Sequence, residues 1–143
     1  MLVRLLYASR SAQPHTQELL EAILSRSQQH NPSHGITGVL CYSGDIFMQV
    51  LEGGRSEVSA LYNHIASDPR HQDVELLSFE EIGERRFAGW TMGQVNLNKV
   101  NPSLLLRYSE KSQLDPFCMS GGSALALLEE LIATASIVGR SSH

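Results

Sequence analysis

Basic charge is scarce in this sequence. Eleven Lys and Arg stand against fifteen Asp and Glu, for a formal charge of −4. No basic stripe exists to track a phosphate backbone, so nucleic acid is not an expected partner. Cysteine is scarcer still: Cys41 and Cys118 cannot build a disulfide framework, which fits a reduced, cytoplasmic setting. The six histidines are scattered without metal-ligand spacing. No run approaches the ~18 apolar residues that a membrane span needs. The N-terminal run Met1–Tyr7 is too short for a signal peptide and is broken by Arg4. There are no internal repeats and no low-complexity stretches. What remains is 143 residues, 42% apolar and 18% charged, enough for one buried core.

Periodicity supplies the elements. Leu2–Ala8 alternates as a strand, with Val3, Leu5 and Tyr7 on one face and Leu2, Leu6 and a snorkelling Arg4 on the other; apolar residues on both faces suggest a central position. Ser9–Pro14 reads as a polar loop. Thr16–Gln29 reads as a helix on the stripe Leu19, Leu20, Ile23, Leu24 and Ser27, begun near Pro14 and stopped by Asn31-Pro32. Gly35–Tyr42 and Ile46–Glu52 form a hairpin about Ser43-Gly44-Asp45. Glu57–Ser67 is a second helix with Val58, Leu61 and Ile65 inward. Val74–Ile82 and Trp90–Leu97 complete the strands. The order βαββαββ predicts an α+β, ferredoxin-like sheet with both helices on one face. In this reading the first and third strands are central, parallel neighbours. A short helix at Ser103–Tyr108 and a strongly apolar one at Ser123–Val138 follow, and the latter is too apolar to stand free in water. It is expected on the open sheet face or on another copy of the chain.

This topology makes two residues conspicuous. Tyr7 and Gln49 lie on the central strands, and both point to the helices if Val3, Leu5, Phe47 and Leu51 do. A buried amide and a buried phenol each need hydrogen bonds, and leaving one unmade costs about 1–3 kcal/mol. The residues alone leave two solutions open: the pair satisfies itself and the backbone, or it faces a ligand between the helices. Asn31 can stop a helix before Pro32 or reach such a ligand. Asp68, Arg70 and His71 can form a solvated turn with a local ion pair or line the same slot. Ile23 and Ile65 offer apolar walls suited to a flat ring with a polar edge. Trp90 and Met92, two apart, share a face of the fifth strand and read first as core packing.

Taken in order, these pieces resemble a known family. Leu5-Leu6-Tyr7-Ala8-Ser9, Asn31 with Gly35-Ile36-Thr37-Gly38-Val39-Leu40, Phe47-Met48-Gln49-Val50-Leu51-Glu52-Gly53, Asp68-Pro69-Arg70-His71, and Arg86-Phe87 with Gly89-Trp90-Thr91-Met92 are similar to the BLUF domain, the sensors of blue light using FAD. The resemblance spans about Leu2–Val95, and the segment beyond it resembles the two-helix tail of short, stand-alone members. It implies a noncovalent flavin between the two helices, FAD by family habit with FMN possible. The implied cofactor-binding set is Tyr7, Ile23, Ser27, Asn31, Phe47, Gln49, His64, Ile65, Asp68, Arg70 and His71. Tyr7 would give an electron and a proton to the excited flavin, and Gln49 would return rotated or tautomerised. Trp90 and Met92 would relay the change towards the tail. His64 stands where several relatives carry arginine. Cys41 is expected to pack, since no bond to the flavin forms.

The expected organisation is a photoreceptor domain at 1–97 and a helical extension at 98–143 for packing or oligomerisation. The chain is expected to be no enzyme, to form a homo-oligomer and to signal to a downstream protein. Three other readings remain. An acylphosphatase-like hydrolase needs an anion-cradling loop near the first strand, and Ser9-Arg10-Ser11 lacks the glycines. A flavin redox enzyme should show a nicotinamide fingerprint, and none is present. A ligand-binding or oligomerisation module without photochemistry would be colourless or inert to light.

Overall fold

The computed structural model describes residues 1–12 and 16–139. The chain runs β1 (Leu2–Ser11), α1 (Thr16–His34), β2 (Thr37–Ser43), β3 (Ile46–Gly54), α2 (Arg55–Ser67), β4 (His71–Ile82), β5 (Gly93–Asn96), α3 (Pro102–Leu106) and α4 (Gly121–Ala133). The strands form one sheet in the order β4-β1-β3-β2-β5, so β1 and β3 are central as expected. The fold is α+β and ferredoxin-like, with helices added after the last strand.

The two central strands run antiparallel, not parallel. The α1 crossover sets β2 parallel to β1 with a gap between them. The hairpin turn at Gly44 (φ +58) then folds β3 back into that gap. β3 therefore opposes both neighbours. The register puts Tyr7 directly across from Gln49, and Leu40 across from Gln49 on the other side.

Several boundaries differ from the sequence reading. β1 continues through Ser9 to Ser11, because β4 begins at His71 and supplies backbone partners that far. Of the expected loop, Pro14 lies outside the described residues, and α1 begins at Thr16 as expected. α1 does not stop at Asn31-Pro32: Pro32 sits inside its last turn. Proline there forgoes one amide bond, while Ile36 N–H closes the turn on the Asn31 carbonyl at 3.0 Å and Gly35 exits in the left-handed region (φ +65). α4 ends at Ala133; Ala135 turns the chain back (φ 54), and Val138 pairs with Gln94 through two 3.0 Å backbone bonds. Arg4 does not snorkel. It is buried, with Nε 2.8 Å from the fully buried carboxylate of Glu52.

Alternation along each strand sorts the core into two layers. Val3, Leu5, Tyr7, Leu40, Phe47 and Leu51 face α1 and α2. Leu6, Val39, Cys41, Met48 and Val50 face the other way, under Ala124, Leu127, Leu128 and Leu131 of α4. The apolar last helix is thus accounted for by the sheet of its own chain.

Candidate functional site

The helix-side layer buries a phenol and an amide. Tyr7 is fully buried and Gln49 is 1% exposed. The Tyr7 hydroxyl donates to Gln49 Oε1 at 2.5 Å, and Gln49 Nε2 donates to the Met92 sulfur at 3.2 Å. Burial, and after it the neighbouring Tyr62, push the Tyr7 phenol well above its ordinary value. Tyr7 is therefore a neutral phenol across the accessible pH range. Its proton has one ready acceptor, the amide oxygen of Gln49.

Gln49 opens onto a cleft of ≈ 320 Å³ between α1 and α2. It runs along α1 from Ile23 to His34 and along α2 from Glu57 to Ile65, and His34 Nδ1 lies 2.9 Å from Glu57 Oε2. Of the residues singled out in the sequence, Ile23, Ser27, Asn31, Gln49, His64 and Ile65 line this cleft. Tyr7 stands behind Gln49. The lining also holds Arg26, His30, His34, Ile36, Glu57, Ala60 and Leu61, which the sequence reading did not assign to the site. Their helical spacing from Ile23, Asn31 and Ile65 (three or four residues) is the signal that places several of them on the same face.

Other expected site residues lie elsewhere. Asp68, Arg70 and His71 follow the far end of α2 and do not line the cleft. Asp68 pairs with Arg70 at 2.7 Å, and that hydrogen bond holds its carboxyl down at about 2. His71 is buried beside Ser9, with Nδ1 2.9 Å from the hydroxyl, and its ring meets Phe47 with centroids 6.3 Å apart. Burial lowers the His71 pKa below its ordinary value, Asp68 pulls it back up, and Arg70 lowers it further. Phe47 is buried in the layer behind the cleft.

Trp90 and Met92 do not share a face. Both precede β5, so strand parity does not apply to them. Met92 belongs to the helix-side layer and touches Gln49, whereas Trp90 packs in the layer beneath α4. Asn31, buried at the end of α1, donates from Nδ2 to the Thr91 carbonyl at 3.0 Å, tying the helix to the residue between them. The Cys41 thiol is buried on the far face and pushed up to about 12 by desolvation, as a packing residue should be.

The site fits an aromatic ring with a hydrogen-bonding edge. The cleft has the volume of an ordinary small-molecule slot. Apolar walls come from Ile23, Ile36, Leu61 and Ile65, and amide groups from Gln49 and Asn31. Among the described residues there is no cluster of His, Cys, Asp or Glu able to hold a metal.

Comparison with known proteins points the same way. Residues 2–93 match the family model described as sensors of blue-light using FAD. The photoactivated adenylate cyclase subunit beta of Euglena longa is 37% identical over 92 residues, which are 64% of this chain and 11% of that protein. The chain therefore spans about a tenth of the length of that relative. Among solved structures, BlsA in its photo-activated state superposes with a TM-score of 0.83 at 29% identity, covering 100% of this chain and 99% of BlsA. The dark-state structure of BlrB gives a TM-score of 0.76 at 34% identity, covering 94% and 96%.

Proposed function

The chain belongs to the BLUF family, the sensors of blue light using FAD, and from that premise we propose how its own residues carry the response. The observation that decides it is the Tyr7–Gln49 pair: a phenol held neutral, 2.5 Å from an amide that opens onto the cleft. When bound, the flavin absorbs the blue light and its excited state accepts one electron. Tyr7 gives up an electron and its hydroxyl proton together, because burial makes a charged phenol costly. Gln49 Oε1 takes that proton. Gln49 Nε2 is held, among the described residues, only by the Met92 sulfur, a weak acceptor. That contact yields when the amide turns, and the electron and the proton return together to Tyr7 with Gln49 in a new orientation. Ile23, Ser27, Asn31, His64 and Ile65 hold the ring, Asp68, Arg70 and His71 support the site from beyond the end of α2, and Phe47 supports it from β3 against His71.

In this reading residues 1–97 are the photoreceptor domain and 98–143 the extension that carries output, with Met92 and Trp90 passing the change to opposite faces of the sheet. The chain acts without enzymatic activity of its own, in the cytoplasm, through a homo-oligomer and a downstream protein. The described residues contain no helix long and apolar enough to cross a membrane.

The test is optical. The FAD-loaded chain should show a small, reversible red shift under blue light. Tyr7→Phe should keep the flavin and lose the shift; a normal photocycle in that variant removes Tyr7 from its role. A chain that cannot be loaded with flavin would sink the reading altogether. Light-scattering mass in dark and light tests the oligomer.

A further inference from the structure

We propose that Glu52 is a positioning residue for the light response: its buried carboxylate anchors the segment that carries Met92 to Gln49. Glu52 is 0% exposed at the centre of the sheet. Its Oε2 accepts from Arg4 Nε at 2.8 Å and from the Arg86 backbone amide at 3.0 Å, and its Oε1 accepts from the Phe87 amide at 2.7 Å. Both carboxylate oxygens are thus spent on holding one loop to the sheet. A buried carboxylate is costly to leave without partners, and Arg4 and the two loop amides supply them.

The loop it holds leads straight to the switch. Trp90 N–H donates to the Phe87 carbonyl at 3.2 Å, and the Trp90 carbonyl accepts from Gly38 N–H at 3.0 Å. Two residues on, the Met92 sulfur receives Gln49 Nε2. Arg85 adds a second tether from the same segment, donating to the Gly35 carbonyl at 2.7 Å and to Thr37 Oγ1 at 2.9 Å. With its start pinned at residues 85–87, the segment has little slack, and Met92 is kept against Gln49. Glu52→Gln changes the geometry in a defined way. An amide offers one acceptor oxygen and an NH₂ that cannot accept, so one loop N–H loses its partner. Met92 then yields more easily when the Gln49 amide turns.

The proposal rests on the flavin reading only for its optical arm. In the full chain, with or without flavin, the Arg86 and Phe87 amides should exchange slowly with deuterated water, and Glu52→Gln should free at least one of them while core strand amides stay protected. In the FAD-loaded chain, Glu52→Gln should speed dark recovery about tenfold, the factor one charge-assisted hydrogen bond is worth. If Glu52 acts through Met92, the double variant Glu52→Gln/Met92→Ala recovers no faster than Met92→Ala alone. Glu80→Gln, which removes the other carboxylate 3.0 Å from Arg4, should change nothing. Where Glu52→Gln fails to fold, Arg85→Gln on the exposed tether should quicken recovery in the same Met92-dependent way. Rapid exchange at Phe87 in the unmodified chain overturns the anchor. An unchanged recovery rate, or effects that multiply in the double variant, overturn the route through Met92. Failure to bind flavin sinks the site reading and leaves the exchange result standing.

Discussion

The two faces of one sheet have opposite characters. The face under α4 is apolar where the helix lies on it, with Leu127, Leu128 and Leu131 fully buried against Leu6, Val39, Cys41, Met48 and Val50, while the buried Arg4–Glu52 ion pair sits towards one end of the same face. The face under α1 and α2 is built from the same strands, yet it encloses a phenol, an amide and an open cleft. Both faces carry a buried apolar core, and on the second the polar pair and the cleft are built into that packing. A sensor can keep a loosely held amide in its core because the neighbouring layer, one residue away along each strand, is closed.

That contrast can be broken most forcefully from the packed side. Leu128→Ala should destabilise the chain by about 2–5 kcal/mol, as large cavities in closed cores do, while leaving the wavelength of the flavin shift in place. Chemical denaturation and difference spectra check the two halves. An equal loss of spectral shift would mean that the faces are not separable. A gentler probe is thiol labelling. Cys118 is exposed and should react in the folded chain, although Asp115 beside it pushes its thiol up. Cys41 should react only as the layer opens. Its labelling rate should follow global unfolding, and fast labelling of Cys41 in native conditions would show the packed face to be mobile.

The smallest effect belongs to the polar side. The folded chain binds a proton at His71 less readily than the unfolded chain does, because burial disfavours the charged ring. The unfolded state then holds more protons as pH falls, and stability drops from about 6.5 downward through the lowered folded value. His71→Gln should flatten that part of the melting-temperature profile. A slope that persists belongs to another group. Asp68 acts in the same direction lower down, between its ordinary value near 3.8 and about 2, and weakly because it is close to solvent.

Much of this arrangement is legible in the sequence. Alternation placed Tyr7 with Val3 and Leu5, and Gln49 with Phe47 and Leu51, on one face of the central pair. The stripe in each helix pointed at that face. Direction was harder to see. Whether β3 runs with or against β1 depends on a crossover followed by a hairpin, and neither strand carries a local sign of it. Pro32 read as a stop because its cost is local, whereas the turn that contains it is closed by Asn31 and Gly35 on either side. Arg4 reads as a snorkelling side chain on a central strand, because its partner Glu52 lies 48 positions away. The spacing of Trp90 and Met92 predicts a shared strand face, but the chain adopts strand parity only from Gly93. Hydrophobic periodicity can place the residues of regular elements, and it is silent where the backbone is irregular.

The register that sets Tyr7 opposite Gln49 also limits how this chain can change. Adding or deleting a single residue within β1 or β3 would turn every following side chain through to the other layer. Leu6 or Val50 would then stand at the cleft, and the phenol or the amide would be driven under α4. The photochemical pair is therefore protected by a counting rule as well as by chemistry: unless a bulge absorbs the change, as in the pairing of β1 with β4, these strands keep the pair in place only when altered two residues at a time.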